Sequence, residues 1–152
     1  MIEFLKQKVW QPILHQIKQG VTPHLLSLSI ALGVVLTLFP VFGTTVTLCV
    51  FFGFIFKLNQ PTVIAINYIM TPLQLIAIPV QIRLGESLLR MPHVSLNPTT
   101  IVQEFWASPM AFIGVYGKST LAAILVWLIL AGPLTWIIYK VSHPIMNRVT
   151  KR

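Results

Sequence analysis

Few side chains in this sequence can carry out acid–base chemistry. Its only carboxylates are Glu3, Glu86 and Glu104, and it has no aspartate. The absence of aspartate excludes a Ser-His-Asp triad and the aspartate magnesium ligands of kinases and related enzymes. A membrane enzyme of this composition would need Glu86 or Glu104 as a general base near His93. We therefore predict a protein that is not an enzyme.

The histidines, the cysteine and the glycine-lysine run of this sequence lack the spacing of a metal site or a nucleotide site. No two of the four histidines are separated by the four residues that place a ligand pair on one helical face: His15, His24, His93 and His143. Cys49 lies in an apolar run, as expected of a small buried side chain. Gly117-Lys118-Ser119-Thr120 resembles the end of a phosphate-binding loop, but Phe112 stands where the first glycine belongs. We expect no metal and no cofactor.

The composition predicts an all-α integral membrane protein. Hydrophobic residues make up 55% of the 152 residues and charged residues 9%, against roughly 25% charged in an average soluble domain. Eleven lysines and arginines oppose three acids, a formal net charge of +8. These bases flank apolar segments and form no stripe interleaved with aromatics, which argues against nucleic acid as a partner.

The first apolar region is too long for one spanning helix. From Gln19 to Phe56 the 38 residues carry no charge, whereas one span needs about 20. Pro40-Val41-Phe42-Gly43 is the natural break, because proline removes a backbone donor and glycine tolerates a turn. The two arms, Leu25–Phe39 and Thr44–Phe56, are each short for a span. We predict a re-entrant or tightly bent hairpin over residues 23–56.

The next apolar segment, residues 61–82, contains Pro72 and Pro79. Two prolines predict a broken helix. Freed backbone groups persist at membrane depth only where protein or a water-lined cavity satisfies them. We expect this segment to be shielded from lipid.

Four further segments are predicted from the same signals. Residues 83–117 should form an outer loop and an interfacial helix that begins at Thr100. Residues 119–139 form the clearest spanning helix, with a kink at Gly132-Pro133. Beyond the membrane domain, 21–142, an amphipathic basic helix over 1–20 and a basic tail over 143–152 are expected.

The distribution of bases predicts the topology. Placing both termini and Lys57 in the cytoplasm collects most lysines and arginines on that side, as the positive-inside rule requires. The sequence therefore predicts a multi-pass membrane protein with both termini cytoplasmic.

Polar residues near the breaks are the candidate binding residues. Thr44 and Thr45 stand at the start of the second arm. Free backbone N–H groups and the helix dipole can hold an anion there, or the two threonines merely cap the helix. Asn67 and Thr71 either line a polar path or tie two helices together. Arg83, Glu86 and Arg90 recur at steps of three and four residues, which predicts a solvated, salt-bridged face of a helix. If Arg83 and Glu86 instead point into the bundle, they would mark a substrate path.

Five short runs occur in an order that resembles the bacterial membrane-protein family DUF2062, over roughly residues 20 to 140: Ala31-Leu32-Gly33, Pro40-Val41-Phe42-Gly43, Asn59-Gln60-Pro61, Thr71-Pro72-Leu73 and Arg83-Leu84-Gly85-Glu86. The resemblance implies six signature positions: Pro40, Gly43, Asn59, Pro61, Pro72 and Gly85. It also implies a small integral protein of the bacterial inner membrane without established activity, in a family sometimes associated with envelope polysaccharide and lipid-linked glycan functions. The chain departs from the family pattern at Thr71-Pro72, where Asn-Pro is common, and at Thr44, where a bulkier polar residue is frequent.

The leading functional hypothesis is a non-enzymatic membrane protein whose broken helices form a polar notch. An amphipathic or anionic substrate, such as a lipid-linked phosphate, is bound or moved there. Thr44 and Thr45 hold the anion, Asn67 and Thr71 line the notch, and Arg83 attracts charge at its outer mouth. The alternative is a non-transporting scaffold subunit of a cell-envelope complex. Membrane lipid is the expected partner, and the small number of spans is compatible with a homo-oligomer.

Overall fold

The computed structural model describes residues 21–150, which form five helices without a strand. In chain order they are α1 (Pro23–Thr37), α2 (Thr45–Ile55), α3 (Gln60–Leu88), α4 (Pro98–Ala107) and α5 (Pro109–Thr150). The all-α class is confirmed. The amphipathic helix predicted over 1–20 lies outside the described residues.

The two arms of the hairpin are separated at the proline and glycine that predicted the break. The Thr22 hydroxyl accepts a hydrogen bond from the Leu25 N–H at 3.3 Å, which caps α1, and Pro23 occupies the first turn. Residues 38–44 then separate α1 from α2, and Gly43 has a φ of +85°. This left-handed conformation favours glycine. The predicted break at Pro40–Gly43 is confirmed, and both arms end within two residues of their predicted bounds.

Helix α3 is continuous through Pro72 and Pro79, so the broken helix predicted over 61–82 is wrong. Each proline removes only one backbone donor. The turns on either side are held by packing against α1, α2 and α5, which offsets that local loss. The helix begins at Gln60 because the Asn59 side chain accepts the Thr62 N–H at 3.1 Å.

A row of amide side chains fastens α3 to the hairpin. Gln60, Asn67, Gln74 and Gln81 recur every seven residues, which is two helical turns and therefore one face. Their amide nitrogens donate, in that order, to the carbonyl of Val50 at 3.1 Å, the hydroxyl of Thr37 at 3.1 Å, the carbonyl of Phe39 at 3.1 Å and the carbonyl of Leu38 at 3.0 Å. We call these four side chains the amide ladder. Two of its members, Gln74 and Gln81, supply donors to the Phe39 and Leu38 carbonyls at the break.

Three predicted boundaries after residue 82 are corrected by the structure. Helix α3 continues to Leu88, and α4 begins after Asn97, whose side chain accepts the Thr99 N–H at 3.0 Å, rather than at Thr100. Ser108 is extended, which ends α4, and Pro109 fits the first turn of the next helix. Helix α5 is continuous over the predicted interfacial end, the predicted spanning helix 119–139 and the described part of the tail predicted over 143–152, up to Thr150. Its packing against α1 and α3 holds it through Gly117 and Pro133.

Helices α1 and α3 run in the same direction, and α5 runs opposite to both. The Trp127 Nε1–H donates to the Val35 carbonyl at 2.8 Å, whereas Ser142 further along α5 donates to Ser27 earlier in α1 at 3.4 Å. We call the end with the start of α1 and the last turns of α5 the Lys140 end. The end with the terminus of α3, residues 89–97, α4 and the start of α5 is the Glu86 end.

Helices α3 and α5 are long and apolar enough to cross a membrane. Only 22% and 17% of their most apolar stretches are buried, unlike the core helices of a soluble protein. Large side chains stay uncovered, including Phe54 at 73%, Trp106 at 76% and Met110 at 82% exposure. Apolar surface of this extent is typical of a membrane protein.

The contact between α3 and α5 generates a stability prediction. A Cβ added at Gly85 would lie 2.5 Å from the backbone carbon of Ala122, so Gly85→Ala must push the helices apart. We expect it to lower the free energy of unfolding by about 1–3 kcal/mol. Gly117→Ala, with open space at its Cβ position, should leave stability unchanged or slightly raised. Thermal unfolding in mild detergent, followed by tryptophan fluorescence, measures both; equal melting temperatures would contradict the prediction.

Candidate functional site

Asn67 and Thr71 are two of the residues predicted to line a polar notch. Their side chains form hydrogen bonds within the protein. Asn67 is 2% exposed, and its amide lies 3.1 Å from the Thr37 hydroxyl and 3.6 Å from the Cys49 sulfur. The Thr71 hydroxyl donates to the Asn67 carbonyl at 2.8 Å. The Asn67 amide therefore ties α3 to α1 and contacts α2, the second of the two roles that the sequence left open, whereas the Thr71 hydroxyl is bonded within α3.

The other three predicted binding residues lie in different places. The exposed Thr44 turns its hydroxyl to the Val41 carbonyl at 2.9 Å and does not cap α2, while Thr45 is 4% exposed. Arg83 lies at the Glu86 end and pairs with Glu86. The structure therefore does not gather the five residues into one site.

Glu86 is the centre of a polar cluster at the end of α3. Its side chain is fully buried, and its carboxylate contacts Arg83 Nη1 and His93 Nδ1 at 2.9 Å each and the Val94 N–H at 3.1 Å. Arg90 lies beyond the helix with a φ of +54°. The predicted solvated ladder of Arg83, Glu86 and Arg90 is therefore wrong, because the middle residue points inward and the last has left the helix.

The surroundings of Glu86 favour its ionised form. This residue lies beyond the uncharged segment 61–82. Burial by itself would raise the pKa of its carboxyl, but the Val94 N–H, His93, Ser119 and Arg83 outweigh it and lower the pKa below the ordinary 4.5. Ser119 faces the cluster from α5, although its buried hydroxyl has no partner of good hydrogen-bond geometry within residues 21–150.

The Glu86 cluster is built for attachment of a loop. It does bring together Glu86 and His93, the pair that an enzyme would need. However, Arg83 and His93 share one carboxylate oxygen, and Val94 engages the other. Both oxygens thus hold residues 93 and 94 against the end of α3. Across residues 21–150, no three histidine, cysteine or carboxylate side chains come together as metal ligands.

A concave surface lies elsewhere, between the hairpin and α5. It has a volume of about 610 Å³ and is called here the apolar groove. Its walls are Leu28, Leu32, Val35 and Leu36 of α1, Phe52 of α2, Phe56, and Trp127, Leu128, Ala131, Gly132, Thr135, Trp136 and Tyr139 of α5.

Little polar surface remains in the apolar groove. The indole N–H of Trp127 is used by the Val35 carbonyl, and the Thr135 hydroxyl donates to the Ala131 carbonyl at 2.7 Å. Sequence reasoning missed this surface because it searched for polar residues. The signal available was the run of α5 residues at steps of three and four from Leu128 to Tyr139, which marks one helical face.

Comparison with known proteins identifies the family. Residues 6–152 match DUF2062, described as an uncharacterized protein conserved in bacteria. The match covers nearly the whole chain, so the chain belongs to this family, as the resemblance of its sequence runs indicated. Neither a curated protein nor a solved structure shows significant similarity to it.

The Glu86 cluster predicts a loss of stability in acid. Because the folded-state pKa of Glu86 lies below 4.5, its contribution is fully present above pH 4.5 and is lost as the pH falls through the lower folded-state pKa. Glu86→Gln keeps the side-chain size but cannot ionise, so its melting temperature should lack this fall. Thermal unfolding from about pH 7 to about pH 3 measures both proteins.

Glu104→Gln is the matched control, since Glu104 lies exposed on α4. It should follow the wild-type profile. A wild-type profile that runs parallel to that of Glu86→Gln throughout would contradict the role assigned to the buried carboxylate.

Proposed function

We propose that this protein is a non-enzymatic integral protein of the bacterial cytoplasmic membrane that binds an amphipathic, lipid-linked substrate. The substrate's hydrocarbon chain lies in the apolar groove. The observation that carries this proposal is the groove itself: its 610 Å³ falls within the range of about 300–1,000 Å³ typical of ligand pockets. Its almost wholly apolar wall suits a hydrocarbon chain and no polar solute.

Shape is the basis for selection of a chain within the groove. Lipid tails are as apolar as the groove wall, so the hydrophobic effect does not draw a chain from the bilayer into the protein. A fixed wall instead offers close van der Waals contact along the whole chain. The aromatic rings of Phe52, Phe56 and Trp127 provide large, rigid parts of that wall.

The distribution of charge supports a cytoplasmic Lys140 end. The described cations there are Lys57, Lys140 and Arg148, and no described acid accompanies them. At the Glu86 end, Glu86 and Glu104 accompany the three described cations. The positive-inside rule favours this orientation, with the hairpin entering and leaving the membrane on the cytoplasmic side.

The lengths of the hairpin helices support a re-entrant arrangement. Helices α1 and α2 have 15 and 11 residues, about 22 and 16 Å at 1.5 Å per residue. Both fall short of a hydrocarbon core of about 30 Å. The amide ladder supplies the shelter that a turn within the membrane needs.

One observation favours the second candidate, a scaffold subunit. Helix α4 packs chiefly on α5 among the described helices. Trp106, Met110 and Ile113 lie around this junction with exposures of 76%, 82% and 62%. A partner protein in the envelope would cover this surface, and a stoichiometric partner on purification would distinguish the scaffold from a lipid carrier.

A substitution that fills the apolar groove tests the proposal. Ala131→Trp adds an indole to the groove wall, whereas Leu121→Trp places one on an exposed position of α5 outside it. We expect wild type and Leu121→Trp to retain a long-chain lipid after detergent extraction, and Ala131→Trp to lose it. Native mass spectrometry counts the retained lipid directly.

Two results of this experiment would overturn the proposal. The first is equal lipid retention by the two variants with a normal melting temperature. The second is a wild-type protein that carries no lipid and copurifies with a stoichiometric protein partner, which would favour the scaffold.

A further inference from the structure

The faces of α1 and α5 that line the apolar groove both continue into the Lys140 end. On α5, steps of three and four residues lead from Trp136 and Tyr139, in the groove wall, to Lys140 and His143. On α1, a step of four leads from Leu28, also in the wall, back to His24. Residues at these spacings share a helical face. The groove therefore ends at a lysine and two histidines.

Contacts in the structure join these residues to the groove wall. The Tyr139 hydroxyl lies 3.1 Å from His24 Nδ1. The centroid of the His143 ring is 5.3 Å from that of Tyr139 and 6.4 Å from that of His24. The Lys140 ammonium lies 5.8 Å from the centroid of the Trp136 ring. We call His24, Tyr139, Lys140 and His143 the head cluster.

His143 is arranged as a donor. The Asn147 amide nitrogen lies 3.3 Å from His143 Nδ1, and an amide nitrogen can only donate. Nδ1 therefore accepts, and the ring proton of neutral His143 lies on Nε2. With the three N–H bonds of Lys140, the head cluster offers donors to an acceptor-rich ligand.

No acid accompanies the head cluster among the described residues. The two described carboxylates, Glu86 and Glu104, both lie at the Glu86 end. There Arg83 and His93 already engage Glu86. Within residues 21–150 the Lys140 end therefore carries positive charge without an acidic partner, beside a groove with an almost wholly apolar wall.

Resting on the function proposed above, we infer that the head cluster binds the phosphate head of the lipid whose chain occupies the apolar groove. A phosphate brings two or three acceptor oxygens and negative charge to the Lys140 ammonium and the imidazole donors, and charge-assisted hydrogen bonds are the stronger kind. Recognition of the head adds to the selection of the chain by the shape of the groove. The substrate class is a long-chain lipid phosphate, with its head at the Lys140 end.

Two probes that differ only in the head test this inference. Hexadecyl phosphate and hexadecan-1-ol share one chain, and native mass spectrometry of the full-length protein in mild detergent measures binding of each. We expect the wild type to bind the phosphate roughly tenfold more tightly than the alcohol. The triple variant His24→Gln, Lys140→Gln and His143→Gln should lose this preference and keep its affinity for the alcohol, which also reports an intact groove.

Lys118→Gln is the control, because it removes an exposed lysine from the opposite end of α5. It should keep the preference for the phosphate. If wild type and triple variant bind both probes equally, and Ala131→Trp removes both, the head cluster is not the phosphate site although the groove holds lipid. If Ala131→Trp removes neither probe, the groove proposal itself fails, and the inference fails with it.

Discussion

The fold depends on backbone carbonyls that the end of α1 leaves without intrahelical partners. In an apolar surrounding each unsatisfied group costs several kcal/mol, so a hairpin can turn there only beside donors. Gln74 and Gln81 provide them, at 3.1 Å from Phe39 O and 3.0 Å from Leu38 O. Because both donors belong to α3, the hairpin and α3 form one unit. The Trp127 indole adds α5 through the Val35 carbonyl at 2.8 Å.

Hydrogen bonds within the protein use several of the polar side chains in the membrane segments. Asn67, Thr71, Gln74 and Gln81 are spent on interhelical or local hydrogen bonds, and Thr135 on its own helix. Few polar groups then remain for a ligand at membrane depth. Under the proposed function, contact of a lipid-linked substrate with the protein at that depth relies on shape and apolar area, and polar recognition lies at the ends of the helices.

The sequence allowed prediction of the hairpin because Pro40 and Gly43 act locally: one removes a donor, and the other adopts a φ of +85°. It did not allow prediction of the continuity of α3 and α5. Whether Pro72, Pro79 or Pro133 breaks a helix depends on packing against neighbouring helices, which no local pattern contains. Glu86 shows the same limit, since its spacing fits an exposed face equally well, and its burial follows from the loop at Val94 and the close approach of α5 at Gly85.

The apolar groove was not predicted from the sequence, for a related reason. Thr44, Thr45, Asn67, Thr71 and Arg83 were chosen because polar residues in a membrane segment suggest function, yet a broken hairpin needs such residues for its own backbone. The groove is apolar, and only its ends remain for recognition of a charged head. At the Glu86 end the buried carboxylate already engages Arg83 and His93. At the Lys140 end no described acid stands beside Lys140, so that end is where the attraction for an anion remains.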